Sequence, residues 1–347
     1  MGGEAIDEVA VADRSERLGR VGTTVGFVLL AVPTVVLFGL GVSGAIFEGT
    51  AVVVGGSLVV VTVGVATGIR YEWWFLTRHA SWNPIVSGEA VRIAFAILGG
   101  TILTIAIVVE TGLSPVVSAA IVGIVAAVLW PSYAVPAYCG AFVGMTSPEL
   151  FVTYWHAAFA GVVATVVFVV AQPVFHGLGG KLGTTAFVGA TVTVFATAGT
   201  FQSDPLPPFE VLISAVAVAV VGAVVTFALH TRFGTTSVFA SGVVGVAGGL
   251  LLPVLAGHGE LLAATVFSAS FAGMADPKRI PDERWMALTG VFVGVVVVYT
   301  MPYLGGSGGK LGTIAFGSCL AVHGLLLTRN VIRFRRRAFD VPRRDTT

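Results

Sequence analysis

Charge is what this sequence has least of. Of 347 residues only 11% are Asp, Glu, Lys or Arg, while 56% are hydrophobic and mean hydropathy is +0.94. A water-soluble domain carries roughly 25% charged residues, so this chain cannot coat a soluble surface. Lysine is scarcer still, since Lys181, Lys278 and Lys310 are the only lysines among 19 basic residues. Cysteine is limited to Cys139 and Cys319, both inside apolar runs, which excludes a disulfide framework and a cysteine-rich metal site. His-x-x-x-His pairs, paired carboxylates and a placeable Ser/His/Asp set are missing too, so neither an enzyme nor a cofactor is expected. Mid-span Asp, Glu or Arg, by which ion pumps usually move charge, is likewise lacking. The titratable groups in the apolar runs reduce to His156 and His323, both read as packed or interfacial.

What is present is a succession of apolar runs long enough for a bilayer, which needs about 20 residues to cross ~30 Å of hydrocarbon. Runs near 22–46, 50–69, 91–109, 113–131, 150–172, 184–200, 211–229, 236–256, 285–304 and 311–328 read as spanning helices. Two shorter segments, 132–147 and 260–275, either cross or re-enter. The expected fold is therefore all-α, a polytopic transmembrane helix bundle of about 12 passes, or 10 if the two short segments are re-entrant. Residues 1–20 are polar and of mixed charge, and the run after them is too long for a signal-peptide core, so it reads as a retained first span. The connection 70–90 holds Tyr71, Trp73, Trp74 and Trp82, an aromatic set suited to a membrane–water interface. The tail 329–347 is basic and reads as a cytoplasmic anchor.

Basic residues orient the chain. With the N-terminus inside and both short segments crossing, Arg14, Arg17, Arg20, Arg70, Arg78, Arg92, Lys181, Arg232, Lys278, Arg279, Arg284 and the tail all fall inside. Glu48, Glu110, Glu149, Asp204, Glu210 and Glu260 then fall outside, with Lys310 as the one basic exception. The expectation is a multi-pass protein of the cell membrane with both termini cytoplasmic.

The chain also repeats itself. Gly179-Gly180-Lys181-Leu182-Gly183-Thr184 recurs as Gly308-Gly309-Lys310-Leu311-Gly312-Thr313, and Phe142-Val143-Gly144-Met145-Thr146-Ser147-Pro148 recurs as Phe271-Ala272-Gly273-Met274-Ala275-Asp276-Pro277. Both share one offset, and about 20 of 47 positions from 141–187 match 270–316 without a gap. A weaker match pairs 114–131 with 236–253. The reading divides the chain into a segment 1–20, two helices and an interfacial connection over 21–90, repeat 1 over 91–200, repeat 2 over 211–328, and the tail. Five passes per repeat would insert the second repeat upside down, and the charges agree: Glu149 follows the first Phe-x-Gly-Met, Lys278 and Arg279 the second. Inverted repeats place their sites at the repeat interface on interrupted helices.

That rule selects two elements. Phe142, Gly144, Met145, Thr146, Phe271, Gly273, Met274 and Asp276 would line a route, because each proline ends its helix and glycine admits close backbone approach. The competing reading is that Gly and Met pack the repeat interface. Gly180, Lys181, Thr184, Gly309, Lys310 and Thr313 form glycine-rich loops running into helices, whose free N–H groups and dipole attract anions. A Walker loop is excluded, since Phe175 stands at its first glycine and Leu182 follows the lysine. The alternative is a lysine snorkelling to the interface, yet arginine, the usual cation here, would serve as well. The functional expectation is a transporter or channel for a small solute, with an anion or anionic metabolite favoured. Its rivals are a membrane enzyme acting on lipid and a structural subunit of a membrane complex. Expected partners are the bilayer and the solute, with no nucleic acid; a homo-oligomer is compatible with such a chain.

Overall fold

The computed structural model describes the backbone over 2–47, 51–79 and 87–339, and side chains over 19–46, 55–78 and 88–332. Glu48, Trp82, the side chains of Arg14 and Arg17 and the basic side chains of the tail beyond residue 332 lie outside the described residues. The described residues form twelve α-helices and no strand: α1 Gly2–Phe47, α2 Ala51–His79, α3 Ser87–Thr111, α4 Pro115–Leu129, α5 Ala134–Gly144, α6 Tyr154–Val170, α7 Lys181–Ala196, α8 Phe209–Thr231, α9 Ser237–Leu255, α10 Gly259–Gly273, α11 Glu283–Thr300 and α12 Lys310–Phe339. By length and composition six of them (α1, α3, α8, α9, α11 and α12) are long and apolar enough to cross a membrane. The two short segments of the sequence are α5 and α10. With 11 residues α5 is only ~16 Å long.

Three helices outrun the expected runs by about ten residues or more: α1 begins at Gly2, α12 ends at Phe339 and α2 continues past residue 69. The connection 70–90 is helical as far as His79, because the buried face of α2 runs on through it. Leu58, Val61, Val65, Glu72 and Leu76 recur at helical spacing, and all are buried.

Close packing rests on glycines and alanines, which let backbones approach in the absence of a hydrophobic drive between helices. Along α3 and α5 a Cβ on Gly100 would strike Ala137 and Ala141, and one on Gly144 would strike Thr101 and Thr104. The contacts advance together, so these helices run parallel. In the second half Gly222 meets Val266 and Gly273 meets Ala223 and Thr226, the same arrangement between α8 and α10. Helices α4 and α9 pack antiparallel, Gly242 on Ile124 and Gly249 on Val117. Both open on a hydroxyl cap: Ser114 Oγ accepts from the Val117 N–H at 3.3 Å and Thr236 Oγ1 from the Phe239 N–H at 3.2 Å. The hairpin α1–α2 lies against this assembly, with Gly64 and Gly68 on Leu320 and Ala321 of α12.

The loops before α7 and α12 repeat as backbone, not only as sequence. Phe175 and Leu304 both take positive φ (53° and 54°), as do Gly177 and Gly306 (78° and 75°) and Gly180 and Gly309 (80° and 82°). A left-handed phenylalanine and leucine each cost roughly 1–2 kcal/mol. Burial offsets this for Phe175, which stacks on Phe27 at 5.0 Å and meets Phe316 edge-on at 5.1 Å.

Candidate functional site at the centre of the bundle

Helices α7 and α12 begin in the interior of the bundle. The Cys139 thiol donates to the Leu182 carbonyl at 3.4 Å, and the neighbouring Gly140 lies on Ile97, near the middle of α3. Correspondingly, Ser268 Oγ donates to the Leu311 carbonyl at 2.7 Å, and the neighbouring Ala269 lies on Gly222, near the middle of α8. The first turns of α7 and α12 then lie against each other, antiparallel. Gly183 meets Gly312, Gly180 meets Gly312 and Phe316, and Gly309 meets Gly183 and Phe187. No side chain larger than hydrogen fits at these glycines, and the left-handed turns at Gly180 and Gly309 favour glycine as well.

Each glycine-rich loop docks on the Phe-x-Gly-Met end of the other repeat. Gly179 lies on the carbonyls of Phe271 and Ala272, and Gly308 on those of Phe142 and Val143. The Asp276 N–H donates to Gly177 at 2.9 Å, and the Ser147 N–H donates to Gly306 at 2.8 Å. Thr146 ties one such joint: its hydroxyl donates to the Val143 carbonyl at 2.7 Å and accepts from the Gly308 N–H at 3.0 Å. Every one of these contacts has a counterpart 129 residues along or back, apart from the threonine.

The two phenylalanines of the repeated motif meet at the centre. Phe142 and Phe271 have ring centroids 4.4 Å apart, with Tyr138 and Phe267 against them to complete a four-ring cluster. Tyr138 meets Phe271 edge-on at 6.2 Å, as Phe142 meets Phe267 at 6.2 Å. All four rings are buried and fill the meeting point. The Tyr138 hydroxyl is hydrogen-bonded to Ser241 at 3.0 Å, and Ser241 to Ser270 at 2.8 Å. Thr104 and Thr226, at equivalent places beside Gly144 and Gly273, are buried with hydroxyls that have no partner among the described residues. Met145 and Met274 are partly buried against the core at the ends of α5 and α10.

The two lysines turn away from each other. Lys181 Nζ donates to the carbonyls of Gln172 and Val174 at 3.1 and 2.6 Å, and Lys310 Nζ to that of Thr300 at 2.7 Å. Each ammonium thus satisfies carbonyls at or just past the end of the preceding helix, α6 or α11, which a helix C-terminus leaves free. Thr184 and Thr313 bond back to the carbonyls of Gly180 and Gly309 at 3.5 and 3.2 Å. Of the sequence-selected residues, therefore, the structure gathers the two phenylalanines and the two glycine loops. It separates the lysine side chains, and Asp276 from Thr146, toward opposite ends of the bundle.

Comparison with protein-family models, curated proteins and solved structures finds no match.

Sequence reasoning missed a charged network at one end of this assembly. Arg279 Nη1 pairs with Glu72, whose side chain is only 2% exposed, and lies 3.1 Å from His323 Nε2. Arg279 Nε donates to the His176 carbonyl at 2.8 Å. A guanidinium can only donate, so His323 Nε2 accepts, and its Nδ1–H donates to the Arg279 carbonyl at 3.1 Å. The available signal was Glu72 itself, which continues the apolar spacing of α2 inside a stretch read as loop. At the other end Gln202 bonds Ser147 and Glu149 at 3.1 and 2.7 Å and bridges Gly305 through backbone hydrogen bonds.

Proposed function

We propose that this chain is a membrane transporter for a small anionic solute, with its route along the contact between two oppositely inserted repeats. The observation that carries the proposal is the placement of α7 and α12. Interrupted helices that begin inside a bundle, back to back, direct their free N–H groups and positive dipole ends into the protein interior. Each starts on a lysine, and the buried, unpartnered hydroxyls of Thr104 and Thr226 lie beside Gly144 and Gly273, next in sequence to the carbonyls on which the glycine loops dock. Reciprocal docking of each glycine loop on the opposite repeat supports the inverted arrangement. Arg92, Arg232, Arg279, Arg284 and Arg329 at one end, with Glu110, Glu149, Asp204 and Glu260 at the other, support about 12 passes with both termini cytoplasmic.

The four-ring cluster would then be the closed barrier between the two mouths. In this reading the solute passes when one repeat rocks against the other and the Phe142–Phe271 contact opens. The test is flux in vesicles reconstituted with the purified chain, using a panel of small organic and inorganic anions. For an anion that is carried, Lys181→Met and Lys310→Met are each expected to reduce flux about tenfold or more, the loss of one charge-assisted contact, while the variants elute as folded protein. Flux unchanged in both variants would remove the anion argument.

A further inference from the structure

The charged network opens on a cleft away from the central contact. It has a volume of about 470 Å³, within the ~300–1,000 Å³ usual for small-ligand sites, and lies between α2, the turn after α10 and α12. Its lining is mixed: Lys278, Arg279, His323 and Asn330 are polar, while Phe75, Leu326 and Leu327 are apolar or aromatic, with His323, Leu326, Leu327 and Asn330 all on one face of α12. Tyr71 stands over His323, ring centroids 5.9 Å apart and near perpendicular.

Both charged side chains that line the cleft, Lys278 and Arg279, are cationic; the Asp276 carboxylate accepts from the Lys278 backbone N–H at 2.8 Å and does not line it. Glu72 neutralises Arg279 from behind, since its side chain is buried and does not line the cleft. Nε and Nη1 of Arg279 are used on His176, Glu72 and His323, which leaves the two N–H groups of Nη2 without a partner among the described residues. Lys278 is exposed, and no side-chain hydrogen bond or ion pair holds its ammonium among them. A guanidinium edge fixed by a buried carboxylate, beside a free ammonium, is a preorganised receptor for oxyanions. The apolar side chains between these polar groups suit the body of an amphiphile.

We infer that this cleft binds an oxyanion group of net negative charge, phosphate or carboxylate with no cation beside it, carried on an apolar body, at Lys278 and Arg279. Two sources supply that chemistry, an anionic lipid headgroup entering between α2 and α12 and a free phosphate-bearing solute. The site lies off the central contact and does not depend on the transport reading.

The test is thermal unfolding of the full chain in uncharged detergent, titrated with short-chain phosphatidylglycerol, short-chain phosphatidylcholine and inorganic phosphate. Saturable stabilisation by phosphatidylglycerol but not phosphatidylcholine is expected. Lys278→Gln should weaken it about tenfold, the worth of one charge-assisted contact. Leu327→Trp, which fills the cleft and keeps every charge, should abolish it. Stabilisation by phosphate as well would show that the oxyanion alone suffices, and by phosphatidylglycerol alone that the source is lipid. No stabilisation by either, equal stabilisation by phosphatidylcholine, or stabilisation that survives both substitutions would overturn the inference. Because binding is read without flux, it can fail while transport stands, and the reverse.

Discussion

At the scale of single residues the centre of the molecule is governed by glycine. Gly183 and Gly312 face each other where α7 crosses α12, and each would place a new Cβ against the other's Cα. Backbone cannot yield as a flexible side chain can, so Gly183→Val and Gly312→Val are each expected to destabilise by at least about 2 kcal/mol through overpacking. Gly99 of α3 is the matched control, with nothing within 4 Å of an added Cβ. There Gly99→Ala should stabilise by up to about 1 kcal/mol through helix propensity. Thermal or denaturant unfolding in detergent checks both, and equal effects at the three positions would show that the crossing is not tight. The repeated Gly-Gly-Lys-Leu-Gly made these positions visible in sequence. What it could not convey was the partner, because contact between Gly183 and Gly312 follows from how the repeats face each other.

At the scale of elements, helices and short segments were readable because apolar runs and prolines mark them directly. Helices α5 and α10 fall where the two short segments were placed, and α4 and α9, which carry the weaker match, share hydroxyl caps at its first positions. The end of α2 was not readable as helix, since Arg70, Glu72 and three nearby aromatics resemble an interfacial loop. Tertiary pairing decides that case: Arg279, distant in sequence, meets Glu72 and makes its burial tolerable. The pair joins α2 to the turn after α10, so its loss should loosen that joint. Glu72→Gln strands a guanidinium that is largely enclosed, a change expected to cost about 3 kcal/mol. Glu72→Gln combined with Arg279→Met should cost less than the two single changes added together. A double-mutant cycle by denaturant unfolding measures that coupling, and strict additivity would mean the pair contributes nothing to docking α2.

At the scale of the whole molecule the question is whether the two halves face opposite ways. Sequence offered the charges beside each repeated motif; the structure adds contacts that exchange partners between the halves, with α4 against α9 and α7 against α12 both antiparallel. Glu149 and Lys278 occupy equivalent positions after the two Phe-x-Gly-Met elements, and both are exposed. If the repeats are inverted in a membrane, these residues lie on opposite sides of it. The native thiols do not interfere, because Cys139 and Cys319 are buried. Glu149→Cys and Lys278→Cys can therefore be made singly and treated with an impermeant maleimide in sealed vesicles of known orientation. Labelling of Glu149→Cys from outside, and of Lys278→Cys only after the vesicles are opened, is the expected result. Labelling of both from one side would place the repeats in the same sense and remove the central contact as a route between two mouths. The polar groups there would then serve packing alone: the lysines as caps for α6 and α11, and the phenylalanines as core.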